Sequence, residues 1–324
     1  LAVSPASEGT LLLFDSGTSL LSQSITAGIG GHAQFQVVAG AQATTSSLQL
    51  GTATDGNGNL LTIGPGSQTT VHGLAQVGIQ SVGWLQASEG GTLLAEHITL
   101  GIEAAGNGQL QISDPGSTVT VSQDLIAGVN GIGNVQFSGD AQGSVGGQMK
   151  VGVGLQGSSK TIVRGANSRL DVAGDLIVGE QGTGEMIIDV GAQLTSGNAA
   201  IGSVKTADSF VQVEHENSQW SVSGDLVLGT DDVVSEDTDS KLAIFDLATV
   251  TVSGSTTVRP TGNLNVQAGS FASDSLHVEG LLVVNGAVES QVTGNGQIDV
   301  TKVSTLGDPT SPDGFDFSGD LMIG

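Results

Sequence analysis

Cysteine and tyrosine are absent from this 324-residue sequence, proline occurs six times, and lysine and arginine together number only eight. Without cysteine there are no disulfides and no thiolate metal sites, and no redox compartment is implied. No apolar run reaches about 18 residues, so no membrane-spanning helix is predicted. No secretory signal is visible at Leu1. The scarcity of bases meets 32 Asp and Glu residues, for a formal net charge of −24. Residues 1–149 carry nine carboxylates and no Lys or Arg, while the remainder carries 23 acids against eight bases. A surface this acidic repels phosphate backbones and anionic lipid, which argues against nucleic-acid partners and electrostatic membrane binding. What is abundant is glycine, with 51 residues, alongside a hydrophobic content of 38% and a mean hydropathy of +0.16. That is too apolar for a disordered chain.

The glycines are periodic. An apolar-x-apolar-Gly signature ends at Gly28, Gly51, Gly78, Gly101, Gly128, Gly152, Gly179, Gly202 and Gly229, with successive spacings of 23, 27, 23, 27, 24, 27, 23 and 27. A short unit alternates with a long one. The positions one and three before each glycine are all apolar, whereas the position between them runs Thr26, Gln49, Gln76, Thr99, Ile126, Lys150, Ile177, Ala200, Val227. Alternation of this kind is a strand with one buried face. Glycine density and the lack of a sustained 3.6-residue period exclude helix.

Each unit holds two further strand-like segments, such as Leu110-Gln111-Ile112 and Val119-Thr120-Val121. Corners rich in Gly and Asn separate them, as at Gly106-Asn107-Gly108 and Gly116-Ser117. Three short strands in about 25 residues describe one coil of a three-faced parallel β-helix, an all-β single-stranded solenoid. A propeller blade needs four antiparallel strands and a single signature in roughly 40–45 residues. One domain is predicted over 1–324, with regular coils over 1–229 and shorter, less regular coils over 230–324 after an acidic insertion at 231–239. About 13 coils at roughly 4.8 Å each predict a rod of about 60 Å.

The Gly-Asn-Gly-x-Leu-x-Ile, Gly-Ser-x-Val-x-Val and Gly-Asp-Leu-x-Val-Gly elements resemble repeats of bacterial autotransporter-type passengers and related secreted β-helix proteins. The stretch from Val292 to Ile298, with Thr310-Ser311-Pro312-Asp313-Gly314 and Gly319-Asp320-Leu321, is similar to the distal end of such arrays. The resemblance implies a secreted or cell-surface protein of adhesive or structural character, and it transfers no catalytic residue.

Candidate chemistry is sparse. Lys160, Arg164 and Arg169 form the one local basic cluster, with Asp171 and Asp175 as the carboxylates nearby in sequence; a solvated coil edge is the expectation. Asp231, Asp232, Glu236, Asp237 and Asp239 are the candidate metal ligands, because hard oxygens at high charge density suit calcium. The plainer reading of that insertion is a solvated loop. The five histidines share no metal-ligand spacing, and His215 between Glu214 and Glu216 is discounted because adjacent strand residues point to opposite faces. Four residues before successive signature glycines stand His97, Asp124, Gln148, Asp175, Asn198 and Asp225. Carboxylates alternating with donors there are expected to form a hydrogen-bonded ladder. Sparse aromatics weigh against sugar stacking, with only Trp84 and Trp220 available, and Thr26 and Thr99 are too few for an ice-binding ladder.

The expected function is therefore a non-enzymatic extracellular or cell-surface β-helix that presents a rigid interaction surface. The alternative is a polysaccharide-binding or polysaccharide-degrading β-helix. No cofactor other than calcium is implied. Expected partners are a surface polysaccharide or protein, or further copies stacked through coil ends, because Leu1 and Gly324 both fall within coils. An outward stripe of Ile126, Ile177 and Val227 is a second candidate for association.

Overall fold

The computed structural model describes residues 7–204, 209–231 and 240–300, together with Gly319 and the strand segments Thr305–Leu306, Phe315–Phe317 and Asp320–Ile323. Among the described residues there is no helix, and every strand pairing is parallel within one continuous sheet. The chain winds as a β-solenoid of about 11 turns, somewhat fewer than the 13 expected. Part of the difference lies in 301–324, where only short strand segments are described.

Each coil has three faces. In one representative coil the first face is Asn107–Ser113, the second Thr118–Val121 and the third Leu125–Ala127. Earlier coils run the second and third faces together, as in Gln42–Leu50, and Gly262–Val278 carries all three in one bent strand. The alternation of long and short units is absorbed in the corners. Relative to the coil before it, the coil after Gly51 lengthens all three: 51–58 replaces 28–33, 63–68 replaces 38–42, and 71–75 replaces 45–48. Strand register is thereby preserved, so Leu60 lies on Phe35, Leu85 on Leu60 and Leu110 on Leu85.

All eighteen apolar signature positions face the interior, and none is more than 8% exposed. Leu176 stacks between Met149 and Ala199 and is fully buried, as is Leu226. Each such leucine contributes about 1.5–3 kcal/mol through the apolar surface it removes from water. The signature glycine is dictated twice over. All nine have φ between +63° and +78°, and a Cβ on Gly101 would overlap the Ile132 carbonyl of the next coil. Only glycine turns the third face into the first at this spacing.

The interior accommodates some polar groups. The Thr62 and Thr69 hydroxyls bond each other at 2.7 Å, and the indole N–H of buried Trp220 donates to Ser196 Oγ at 3.2 Å. Thr161 is fully buried, and its hydroxyl has no partner. Ile126, Ile177 and Val227 do share an outward column, but it is interrupted by Lys150 and Ala200, and all three are half-buried.

Candidate functional site

The charged side chains are organised by the coil-to-coil register. Arg164 ends the first-face strand Ser158–Arg164 and lies directly on Asp189, the last residue of Thr183–Asp189. Its guanidinium brackets the Asp189 carboxylate, with Nε within 2.9 Å of both oxygens and Nη2 at 2.5 Å from Oδ2. Asp189 is only 1% exposed, and its hydrogen bonds and charge hold the Arg164 guanidinium more firmly protonated than usual. Lys160 reaches Glu185 at 2.7 Å and Lys150 reaches Glu180 at 2.8 Å, in each case across to the following coil. Arg169 pairs with Asp171 two residues along its own strand, at 2.6 Å. Burial opposes the Asp171 charge, but hydrogen bonds from Arg169 and Thr195 hold its pKa below the ordinary carboxylate value.

The basic cluster is thus committed to acids, and the nearby-in-sequence inventory of Asp171 and Asp175 was incomplete. Glu180, Glu185 and Asp189 went unnoticed because they lie 25 to 30 residues downstream. The signal that finds them is the repeat length itself. Asp175 serves elsewhere, taking amide donors from Asn198 at 2.9 Å and Gln148 at 3.4 Å.

These contacts belong to the ladder beside the third face. Gln148 donates its backbone N–H to Asp124 at 2.8 Å, Asp225 donates its own to Asn198 at 3.1 Å, and Ser255 donates both N–H and hydroxyl to Asp225. At the start of the run, Asp124 N–H approaches His97 Nδ1 at 3.4 Å. Each carboxylate is separated from the next by a donor or amide, as the sequence pattern required. The Ser255 backbone N–H, followed by its hydroxyl, lowers the Asp225 pKa.

Of the calcium candidates, Asp232, Glu236, Asp237 and Asp239 lie outside the described residues. Asp231 is described: it is exposed, and Arg259 faces it at 3.6 Å. A different trio comes together, since ligand atoms of Asp189, Glu214 and His215 lie within 4.8 Å of one another. The strand-alternation argument against His215 does not govern it, because the residue lies past the end of Ser209–Val213 with φ of +71°. Asp189, however, is already engaged by Arg164, so this corner is an ion-paired cluster.

The first face differs over five coils, from His32–Val38 to Ile132–Ser138. One outward column runs Gln34, Asn59, Trp84, Gln109, Asn134, and its neighbour runs Gln36, Leu61, Gln86, Gln111, Gln136. Neither column holds a charge. Trp84 is 37% exposed on the middle coil, in contrast to buried Trp220. Beside it is an open depression of about 310 Å³ whose lining includes Glu8, Thr10, His32, Gln34, Asn59 and Trp84. Along the corner between the second and third faces, two further open depressions, of about 460 and 370 Å³, share Thr120 and Ser122, with Glu96 in the first and Asp171 in the second.

No family model, curated protein or solved structure matches this chain. The resemblance to autotransporter passengers is therefore carried by the β-solenoid and its repeat pattern, with no relative to support that identity.

Proposed function

We propose that this protein is a non-catalytic, rigid interaction rod displayed outside the cell, at the cell surface or in secreted form. One observation carries the reading: of the six described Lys and Arg side chains, the groups a polysaccharide lyase would direct at an acidic substrate, five face carboxylates of the protein itself. Lys150, Lys160 and Arg164 each end on a carboxylate of the following coil, and Arg169 on Asp171. The pairs of Lys150, Lys160 and Arg164 fasten successive coils together and leave a lateral surface of repeated, in-register columns. Such a surface suits extended contact with a polymer or with another protein. Two measurements test the reading. Antibody raised to the protein is expected to label intact cells of the source organism as strongly as permeabilised ones; labelling confined to permeabilised cells contradicts display. Incubation with neutral and acidic polysaccharides is expected to release no reducing ends and no unsaturated uronate, and sustained release of either contradicts the non-catalytic assignment.

A further inference from the structure

We propose that the uncharged first face centred on Trp84 binds a neutral polysaccharide. The proposal rests on the rod reading above and names its ligand. Eight of the ten outward positions in the two columns are Asn or Gln, and the other two are Trp84 and Leu61. The five coils cover about 19 Å at roughly 4.8 Å per step, enough for several sugar rings laid along the rod.

Amides that serve the fold make bonds, and elsewhere on this surface they do. Gln49 donates to Gln76 at 2.9 Å, and Gln142 to the Asn167 carbonyl at 2.6 Å. On the first face Gln109 reaches Asn107 only at 3.5 Å, and Asn134 accepts the Lys160 N–H at 3.3 Å. The amide groups of Gln34, Gln36, Asn59, Gln86, Gln111 and Gln136 engage no protein partner among the described residues. Their donors and acceptors point outward unspent. A sugar hydroxyl both donates and accepts, and an amide offers both in one fixed plane. Trp84 adds a flat apolar surface, suited to the C–H face of a pyranose ring, with an N–H at its edge. The depression beside it gives a ring a place to sit.

Charge selects a neutral polymer over an acidic one. The chain carries −24 and has no Lys or Arg before Lys150, so a uronate-rich polymer is repelled. Lys160, the base nearest in this column, is held by Glu185. A protein partner fits less well, because within the two columns the apolar surface is one indole and Leu61, and a protein interface needs a larger apolar centre.

The test is a fluorescence titration of the purified chain with cellohexaose, laminarihexaose, maltohexaose and polygalacturonate. Trp84 is the exposed indole and Trp220 the buried one, so binding to the parent is read as a blue shift and as protection from acrylamide quenching, and isothermal titration calorimetry measures the parent and every variant alike, those lacking the Trp84 indole included. Saturable, salt-independent binding to at least one neutral oligosaccharide is expected. Trp84→Ala should weaken it about tenfold or more and Asn59→Ala several-fold, with Trp84→Phe retaining part of it and melting unchanged in all three. The proposal is overturned if no neutral oligosaccharide binds saturably, if Trp84→Ala binds as well as the parent, or if polygalacturonate binds best. Failure to bind leaves the rod reading standing. Shortening of a bound oligosaccharide keeps the ligand assignment and overturns the non-catalytic reading.

Discussion

A methyl group added to Gly101 should cost far more than one added to Gly116, and the difference measures how tightly the coils are stacked at the glycine corner. Both residues have positive φ, +63° and +80°. An alanine in the left-handed region costs about 1–2 kcal/mol, offset by about 0.4–1 kcal/mol from the stiffer unfolded chain. At Gly116 that is nearly the whole effect, because the nearest atom to an added Cβ is the Gly90 Cα at 3.6 Å, ordinary contact. At Gly101 the Cβ meets the Ile132 carbonyl oxygen and carbon, which are backbone and cannot rotate away. Forcing the coils apart there adds about 1–3 kcal/mol. Gly116→Ala should therefore lose about 1 kcal/mol and Gly101→Ala about 2–4 kcal/mol. Urea unfolding followed by far-UV circular dichroism reads the difference. Hydrogen exchange localises it, because the Gly101 carbonyl accepts the N–H groups of Val129 and Gly131, each at 3.0 Å. Those amides should exchange faster in Gly101→Ala and unchanged in Gly116→Ala. Equal destabilisation, with no local change in exchange, refutes the close approach of the corners.

Three further outcomes follow from the interior and the paired charges. Thr161→Val should stabilise by about 1 kcal/mol, since it removes a buried hydroxyl without a partner, whereas Thr62→Val strands the Thr69 hydroxyl and should cost about 1–3 kcal/mol; urea midpoints that move in the same direction for both contradict the hydroxyl assignment. Arg164→Met leaves the buried Asp189 carboxylate unpaired and should lower the unfolding free energy by about 3 kcal/mol, with Arg164→Met/Asp189→Leu recovering most of it; a single variant as stable as the parent contradicts the pairing. Asp225 titrates below its ordinary value because Ser255 donates to its charged form. A group depressed in the folded state adds stability above its unfolded pKa, about 3.9, and that contribution is lost as pH falls through the lower folded value. A carboxyl chemical-shift titration should place Asp225 below the ordinary value in the parent and closer to it in Ser255→Ala; an ordinary value in the parent contradicts the ladder.

Features at a fixed offset from the signature glycine were legible in the sequence. Leu176 and Leu226 stand three residues before it, and Asp124, Asp175 and Asp225 four, so their columns could be read without knowing the fold. The first face was not legible in this way. The corner leading into it alternates in length, as 28–33 and 51–58 show, so Gln34, Asn59, Trp84, Gln109 and Asn134 stand at shifting distances from their glycines. An uncharged amide column scattered over a hundred residues looks like loop composition until register aligns it. The ion pairs were missed for a related reason. Arg164 and Asp189 are 25 residues apart, a contact that only stacking creates. Coil number was overestimated, with the irregular C-terminal region, where the glycine signature fades after Gly229, supplying the weakest part of the count.

The in-register stacking of alternating units is most directly tested by removing one long and one short unit together. Deletion of 52–101 joins Gly51 to Ile102, so that one signature glycine replaces an equivalent one and the following corner is kept. The shortened chain is expected to fold, to keep its β-sheet circular dichroism and cooperative unfolding, and to scatter X-rays as a rod about 10 Å shorter, two coils at roughly 4.8 Å each. Deletion of 52–90, which brings a first-face corner against a third-face corner, is expected to disrupt the fold. Equal tolerance of both deletions, or a length unchanged by the first, contradicts a solenoid built on this register.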